Sequence, residues 1–210
     1  MSADPPPAAG ANSTPQPITA PLAVWLVVQL LALALGAARV PLSAHFVKPG
    51  EALAIDEMLI AQFAASAMLF PLLLRDVRSC LAMILTAAPM LQLAATLSAS
   101  PAWRVVGAWT CLSIWLVALA AWRAILPARH RPLGVAIANL LSIGGLIVWY
   151  LASEFAGRCA SLARVFPLVA TLRFVHGDGH FPLPLCSTAF LAISAISVRS
   201  VTRVRTRRGS

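Results

Sequence analysis

Long apolar runs alternate with short polar segments along most of this chain. Six of the runs, of 16 to 24 residues, match or come close to the roughly 17–25 residues that an α-helix needs to cross the hydrocarbon core of a bilayer. We expect no strict helical periodicity within them, because several faces of such a helix can meet lipid. The pattern predicts an all-α fold, a polytopic integral membrane helix bundle with six transmembrane helices, at residues 21–38, 53–74, 80–97, 103–126, 133–152 and 183–198.

A further apolar segment lies between the fifth and sixth of these runs, at residues 156–175. It contains Arg158, Arg164 and Arg173, and Pro167 interrupts it. Each arginine costs roughly 2.5–3.5 kcal/mol near the centre of a spanning helix. An interfacial amphipathic or re-entrant helix is therefore a better interpretation than a seventh span.

The two ends of the chain differ from the runs between them. Residues 1–20 hold five prolines and no lysine or arginine, which predicts a disordered tail. Without a basic segment ahead of it, the first run is expected to be a retained helix and not a signal peptide. Residues 199–210 form a basic tail, which we expect to lie against anionic lipid headgroups. The six-helix domain occupies residues 21–198 between these tails.

Composition supports a lipid environment. The chain is 60% hydrophobic and only 11% charged, whereas a soluble domain is about one quarter charged. Its net charge is +9, and Lys48 is the only lysine among sixteen basic residues. These residues lie between the apolar runs, where they orient helices and attract anionic lipid, so nucleic acid is not expected as a partner. The bias toward arginine is common in GC-rich bacterial genomes and suggests a bacterial inner (plasma) membrane.

The basic residues also predict an orientation, because lysine and arginine accumulate on the cytoplasmic side. With the amino terminus inside, ten of them lie inside, at Arg75, Arg78, Arg123, Arg129, Arg131, Arg199, Arg203, Arg205, Arg207 and Arg208. Six lie outside, at Arg39, Lys48, Arg104, Arg158, Arg164 and Arg173. We therefore expect both termini to be cytoplasmic.

In this topology most groups capable of binding a ligand lie on the outer side. Five of the seven acidic residues and three of the four histidines lie there, at Glu51, Asp56, Glu57, Glu154, Asp178, His45, His176 and His180. Cys159 and Cys186 join them. Either the outer face binds ligands, or these acids are counter-ions for outer arginines, a kind of pairing that contributes little stability.

The sharpest local signal is the segment His176-Gly-Asp-Gly-His180. Its two imidazoles and the Asp178 carboxylate are ligands that suit Zn²⁺ or another divalent metal, and the glycines allow the backbone to fold them together. A fourth ligand would have to come from elsewhere, for example from Cys159 or Glu154. The competing interpretation is a polar turn ahead of the last helix.

Two further hypotheses involve the outer side. Asp56 and Glu57 open the second run, where carboxylates suit the positive end of a helix dipole. They could instead accept a proton or cation at the mouth of a pathway through Gln62 and Ser66. An enzyme would need a thiolate, a cation and a base, which Cys159, Arg173 and His176 or His180 could supply.

Polar and small residues inside the runs predict packing. Gln92 and Asn139 are expected to make interhelical hydrogen bonds. Gly134, Ala138, Ser142 and Gly145 form a small-residue stripe that allows close approach of another helix, either within the chain or from a membrane-protein partner.

No charged residue or histidine lies deep in a run, whereas ion-coupled transporters usually place one there. The sequence thus predicts a non-catalytic membrane subunit or small permease-like component. The alternative is an outer-face membrane enzyme or metal-binding protein that uses the segment from Cys159 to His180.

Overall fold

In the computed structural model, residues 19–43, 53–74, 77–156 and 165–177 are described, and all regular structure within these ranges is helical. The helices are α1 (Thr19–Ser43), α2 (Leu53–Leu73), α3 (Val77–Leu97), α4 (Ala102–Ile125), α5 (Arg131–Asn139), α6 (Gly145–Ala156) and α7 (Pro167–His176). A 3₁₀ turn (Ala128–His130) precedes α5, and a π-helical turn (Leu140–Gly144) joins α5 to α6.

Within the described ranges, five helical stretches are long and apolar enough to cross a membrane. They are Ala20–Ala38, Ala54–Leu72, Val77–Leu97, Ala102–Ile125 and Ala128–Phe155. These coincide with the first five predicted runs. The sixth predicted run, 183–198, lies outside the described residues, as do residues 1–18 and 199–210 of the two tails. Thr19 and Ala20, which were predicted to be disordered, belong to α1.

Helices α1 and α2 run antiparallel, as do α3 and α4. Gly36 near the end of α1 lies against Ala54 at the start of α2, and a Cβ atom on Gly36 would come within 2.9 Å of the Ala54 Cβ. The Trp109 indole of α4 donates a hydrogen bond to the Ile84 carbonyl of α3. We name the two ends of the bundle after one residue at each: the Asp56 end, where α2 and α4 begin, and the Arg123 end, where they finish.

Helix α2 lies at the centre of the bundle. It supplies several of the large side chains that are fully buried, among them Met58, Phe63 and Phe70. The Phe63 ring stacks on Trp115 of α4, with 6.0 Å between centroids. Away from this core, large apolar side chains such as Leu85, which is 66% exposed, cover the outside of the bundle. Such a surface suits lipid, since a bilayer does not require a polar exterior.

A layer of polar side chains joins α1, α2 and α3 inside the bundle. The Gln62 amide donates to Gln29 Oε1 at 2.7 Å, and the Trp25 indole donates to the Thr86 hydroxyl at 3.1 Å. Gln29 and Gln62 are both completely buried. Interhelical hydrogen bonds of this kind offset the cost of amides in a low-dielectric interior.

The prediction that Gln92 and Asn139 would make such bonds was wrong. Gln92 is exposed, and Asn139 donates to the Val135 carbonyl within its own helix. An interhelical hydrogen bond is made instead by Gln29 of α1 and Gln62 of α2, whose side chains face each other.

The small-residue stripe of the fifth span packs within the chain. Gly134, Ala138, Ser142 and Gly145 are all buried. A Cβ atom on Gly134 would lie 2.6 Å from the Leu126 side chain and 3.3 Å from Phe70. One on Gly145 would overlap the Phe166 ring. The stripe thus allows close packing within the chain, which is one of the two uses that its pattern predicts.

Helix α7 occupies much of the segment predicted to be interfacial or re-entrant. Its ten residues extend about 15 Å, which is half of the roughly 30 Å hydrocarbon thickness of a bilayer. Residues Pro167 to Thr171, Phe174 and Val175 are buried, so the helix packs against the bundle on several sides. It starts beside Gly145, in the middle of the fifth span, and ends at the Asp56 end.

Candidate functional site at the Asp56 end

The carboxyl end of α7 is fixed to the start of α4 by Arg104. The Arg104 guanidinium donates a hydrogen bond to the Val175 carbonyl at 2.8 Å, and Trp103 meets Phe174 edge to face at 5.5 Å. The last carbonyl groups of a helix have no partner within it, and a cation there also suits the helix dipole. Arg104 therefore satisfies a carbonyl group that α7 itself cannot pair.

Gly177 ends α7 in the left-handed region, with φ of 86°. A side chain at this position would be strained, and its Cβ atom would also lie 2.8 Å from an Arg104 nitrogen. The glycine thus permits both the helix stop and the close approach of the guanidinium. This fixes where His176, the last residue of α7, is placed.

His176 pairs with Asp56 across 120 residues of sequence. The Nε2 atom of His176 lies 2.8 Å from Oδ2 of Asp56. The two side chains are 36% and 19% exposed, respectively. The contact joins the end of α7 to the first turn of α2, so α7 is held at this end by side chains of two different helices.

The second carboxylate oxygen of Asp56, Oδ1, does not take part in the contact with His176. Oδ1 is buried, and within the described ranges it has no hydrogen-bond partner. A buried acceptor without a donor is costly, because it has lost its hydrogen bonds to water. An arrangement of this kind indicates a place where a donor from water or a ligand would be stabilised.

A cavity of about 210 Å³ lies beside this pair, between α2, α6 and α7. Its walls are mostly apolar, and its polar residues are Asp56, Arg173 and His176. The apolar lining residues are Ile60, Leu146, Trp149, Val169 and Leu172. Mostly apolar walls with a few convergent polar groups are typical of ligand sites. We take this cavity as the candidate functional site.

Of the three predicted metal ligands, only His176 lies among the described residues. Asp178 and His180 lie outside them, as does Cys159. Within the described ranges no group of three or more potential metal-binding side chains comes together. The carboxylate that meets His176 is Asp56, and Glu154 is exposed further along α6. The metal site thus stays a prediction.

The structure also bears on the enzyme hypothesis and the pathway hypothesis, the two other sequence hypotheses about the outer side. Arg173 and His176, proposed for an enzyme, do border the same cavity. The proposed pathway from Asp56 through Gln62 and Ser66 does not follow one face of α2. Asp56 and Gln62 are about 120° apart around the helix at roughly 3.6 residues per turn. Gln62 instead bonds Gln29, and Ser66 accepts a hydrogen bond from Trp115.

The sequence predicted that Asp56 and His176 lie on the same side of the membrane. It assigned them to separate hypotheses, Asp56 to a pathway and His176 to a metal site or an enzyme. It missed Ile60, Leu146 and Trp149 as walls of a site, because they read as ordinary apolar residues of spanning helices. The signal that could have joined the two is the apolar segment before His176, which can bury its side chains by packing between spans.

No protein-family model, curated protein or solved structure matches the chain. Its class therefore rests on the fold and composition: in the described part of the chain, five helices are long and apolar enough to span a membrane, which indicates a multi-pass helical membrane protein.

Proposed function

We propose that this protein is a non-catalytic, permease-like component of the plasma membrane of a bacterium, and that it receives a small ligand in the cavity at its Asp56 end. The observation that carries the proposal is the position of α7. This short helix forms one wall of the cavity, and polar contacts at its last two residues, Val175 and His176, tie it to α4 and α2. Because α7 forms a wall of the cavity, a displacement of this short helix would admit a ligand.

The topology that we propose has six spans, with residues 183–198 as the sixth and α7 as the second limb of a re-entrant segment. Its support is that α6 runs from Gly145 toward the Asp56 end, whereas α7 starts back beside Gly145 and returns to that end. In this topology the Asp56 end is the outer one, and both termini are cytoplasmic. The basic tail, 199–210, then lies against anionic headgroups of the inner leaflet.

An outer-face metal-binding protein or enzyme that uses the segment from Cys159 to His180 is the second candidate. One contact favours it. A metal-binding histidine usually donates its other ring N–H to a carboxylate, which fixes the orientation of the imidazole. Asp56 is placed to do this for His176, and Asp178 and His180 follow within four residues.

Accessibility of the cavity from the two sides of the membrane tests the permease-like role. In a background without Cys80, Cys111, Cys159 and Cys186, a cysteine replaces Ile60 in the cavity wall. A membrane-impermeant maleimide is then applied to right-side-out and inside-out vesicles. Alternating access predicts that the Ile60→Cys protein reacts from both sides.

The matched control is Ala128→Cys, an exposed position at the Arg123 end, which should react from one side only. Labelling of Ile60→Cys from the Asp56 side alone would rule out permeation and leave a one-sided binding subunit. The same experiment tests the proposed orientation, since Ala128→Cys should react only in inside-out vesicles.

A further inference from the structure

The cavity between α2, α6 and α7 has apolar walls on all three helices, and its polar residues lie toward the Asp56 end. We infer that it binds an uncharged apolar group of about eight carbon atoms, and not an ion. The inference rests on the proposed function and deepens it by naming the class of ligand. Three features of the cavity support it: the composition of its walls, the partners that its polar residues already have, and its volume.

Each of the three helices contributes apolar side chains to the walls. Ile60 comes from α2, Leu146 and Trp149 come from α6, and Val169 and Leu172 come from α7. Both pairs are spaced by three residues, so each pair lies on one face of its helix. Water is held poorly between such walls, because it needs two to four polar partners, whereas an apolar molecule gains dispersion contacts with them. The walls therefore favour an apolar occupant.

The polar residues of the cavity already have partners within the protein. Asp56 Oδ2 lies 2.8 Å from His176 Nε2, and Arg173 has an interaction of its own. The other oxygen of the carboxylate, Oδ1, is buried, so it does not face the cavity. An ionic ligand would have to displace one of these partners or leave its own charge unpaired in apolar surroundings, and both are costly. An uncharged ligand requires neither.

The volume of the cavity sets the size of the ligand. Its 210 Å³ exceed the roughly 150 Å³ of a cavity known to bind benzene and fall short of the roughly 300 Å³ at which sites for drug-sized molecules begin. In proportion to benzene, the cavity holds about eight carbon atoms. An aromatic ring with a short substituent has this size, and so does a segment of an alkyl chain.

Two sources supply such a group, a free apolar molecule and the hydrocarbon chain of a membrane lipid. They are distinguished by photolabelling of the full-length protein in phospholipid vesicles. One arm uses phenyl(trifluoromethyl)diazirine, a small uncharged probe, and the other uses a phospholipid with a diazirine at the end of one acyl chain. Peptide mass spectrometry compares labelling of Ile60, Leu146 and Leu172 in the cavity with labelling of Leu85, which is 66% exposed on the outside of the bundle.

We expect labelling to be saturable in the cavity and not at Leu85, because only the cavity holds a limited number of molecules. Ethylbenzene should compete for the cavity at a concentration at least about tenfold lower than phenethylamine or phenylacetate. The three compounds have the same number of carbon atoms, and the last two carry one charge each. Concentrations are those in the bilayer, measured by partition into protein-free vesicles, so that unequal partition does not produce the difference.

Filling the cavity should remove the site. Leu172→Trp should lower the saturable labelling of Ile60 and Leu146 by at least about tenfold, because the larger side chain takes up the volume of the ligand. The matched control is Leu85→Trp, the same change on the lipid-facing surface, which should leave cavity labelling unchanged.

Equal competition by ethylbenzene and the two charged compounds in the wild-type protein would overturn the inference, as would the absence of saturable labelling by either probe. These comparisons need no variant, so they hold even if Leu172→Trp does not fold. Absence of saturable labelling, with Ile60→Cys still reacting from both sides of the membrane, would remove the ligand class and leave the permease-like role. Saturable labelling with one-sided reaction of Ile60→Cys would do the reverse.

Discussion

The Phe166 ring lies directly against Gly145, so closely that a Cβ atom on Gly145 would overlap it. Phe166 is the residue before α7, and Gly145 follows the π-helical turn in the middle of the fifth span. The extra residue in a π-helical turn changes the direction of the side chains that follow it. The π-helical turn thus lies next to the point inside the bundle where α7 starts.

Substitution of Gly145 should therefore loosen α7. We expect Gly145→Ala to lower stability by about 1–3 kcal/mol, because overpacking forces Phe166 out of its place. Gly144→Ala is the matched control, since its Cβ atom would meet the flexible end of Leu140. Thermal unfolding in detergent measures both. The double change Gly145→Ala with Phe166→Ala should recover part of the loss, and no recovery would mean that the ring is not the cause.

The contact between Asp56 and His176 should appear as a coupling energy. In a double-mutant cycle with Asp56→Ala and His176→Ala, we expect roughly 0.2–1 kcal/mol of coupling, the range for partly exposed ion pairs. The control cycle pairs His176→Ala with Glu154→Ala, whose side chain is exposed elsewhere on α6. It should give no coupling. Equal coupling in the two cycles would argue against the Asp56 contact.

Replacing only one partner of the buried Gln29–Gln62 hydrogen bond should cost more stability, per residue replaced, than replacing both. Gln29→Leu alone removes the acceptor of the Gln62 amide N–H, and Gln62→Leu alone removes the donor to Gln29 Oε1. Each single change should cost about 0.6–2 kcal/mol, the range of interhelical hydrogen bonds in membranes. The double change should cost less than the sum. Additive losses in thermal unfolding would contradict the pairing.

Reporter fusions test the proposed topology. A reporter that is active only in the cytoplasm should work when fused after Ser210 and fail when placed after Ser100, which lies between α3 and α4 at the Asp56 end. Activity at Ser100 would reverse the orientation. Failure at both positions would require an odd number of spans, with the basic tail outside.

The helices were more predictable than the site. A spanning helix needs only length and apolarity, and both can be read along the chain, so α1 to α4 lie where the apolar runs predict. The π-helical turn at Leu140–Gly144 leaves no comparable signal, because its residues are ordinary for a spanning helix. Local patterns also suggested that Gly145 packs closely, without indicating Phe166 as its neighbour.

The pairing of Asp56 with His176 depends on how α7 folds back against α2, which no local pattern specifies. The same holds for Gln29 and Gln62, which share a layer only because α1 and α2 are antiparallel. Residues that are close in space but 33 or 120 positions apart can be matched only once the helices are arranged. Sequence therefore predicted that Asp56 and His176 lie at the same end of the helix bundle, and not the contacts that form the cavity.

Metal content separates the second candidate function from the first. If His176, Asp178 and His180 hold a divalent ion, purified protein should retain it in stoichiometric amount, and the double change His176→Ala with His180→Ala should remove it. Lowering the pH through the histidine range should release the ion as well, because only neutral imidazole binds metal.

The contact with Asp56 adds a second test of the metal hypothesis. Asp56→Asn should weaken metal binding by about 10–100-fold, the usual effect of losing a carboxylate that orients a ligating histidine. His130→Ala, which removes an exposed histidine at the Arg123 end, is the control and should leave the metal content unchanged. Elemental analysis after chelator-free purification measures each case. Equal occupancy in the wild type and the double mutant would end the metal hypothesis, and so would protein that carries no ion after growth with added zinc.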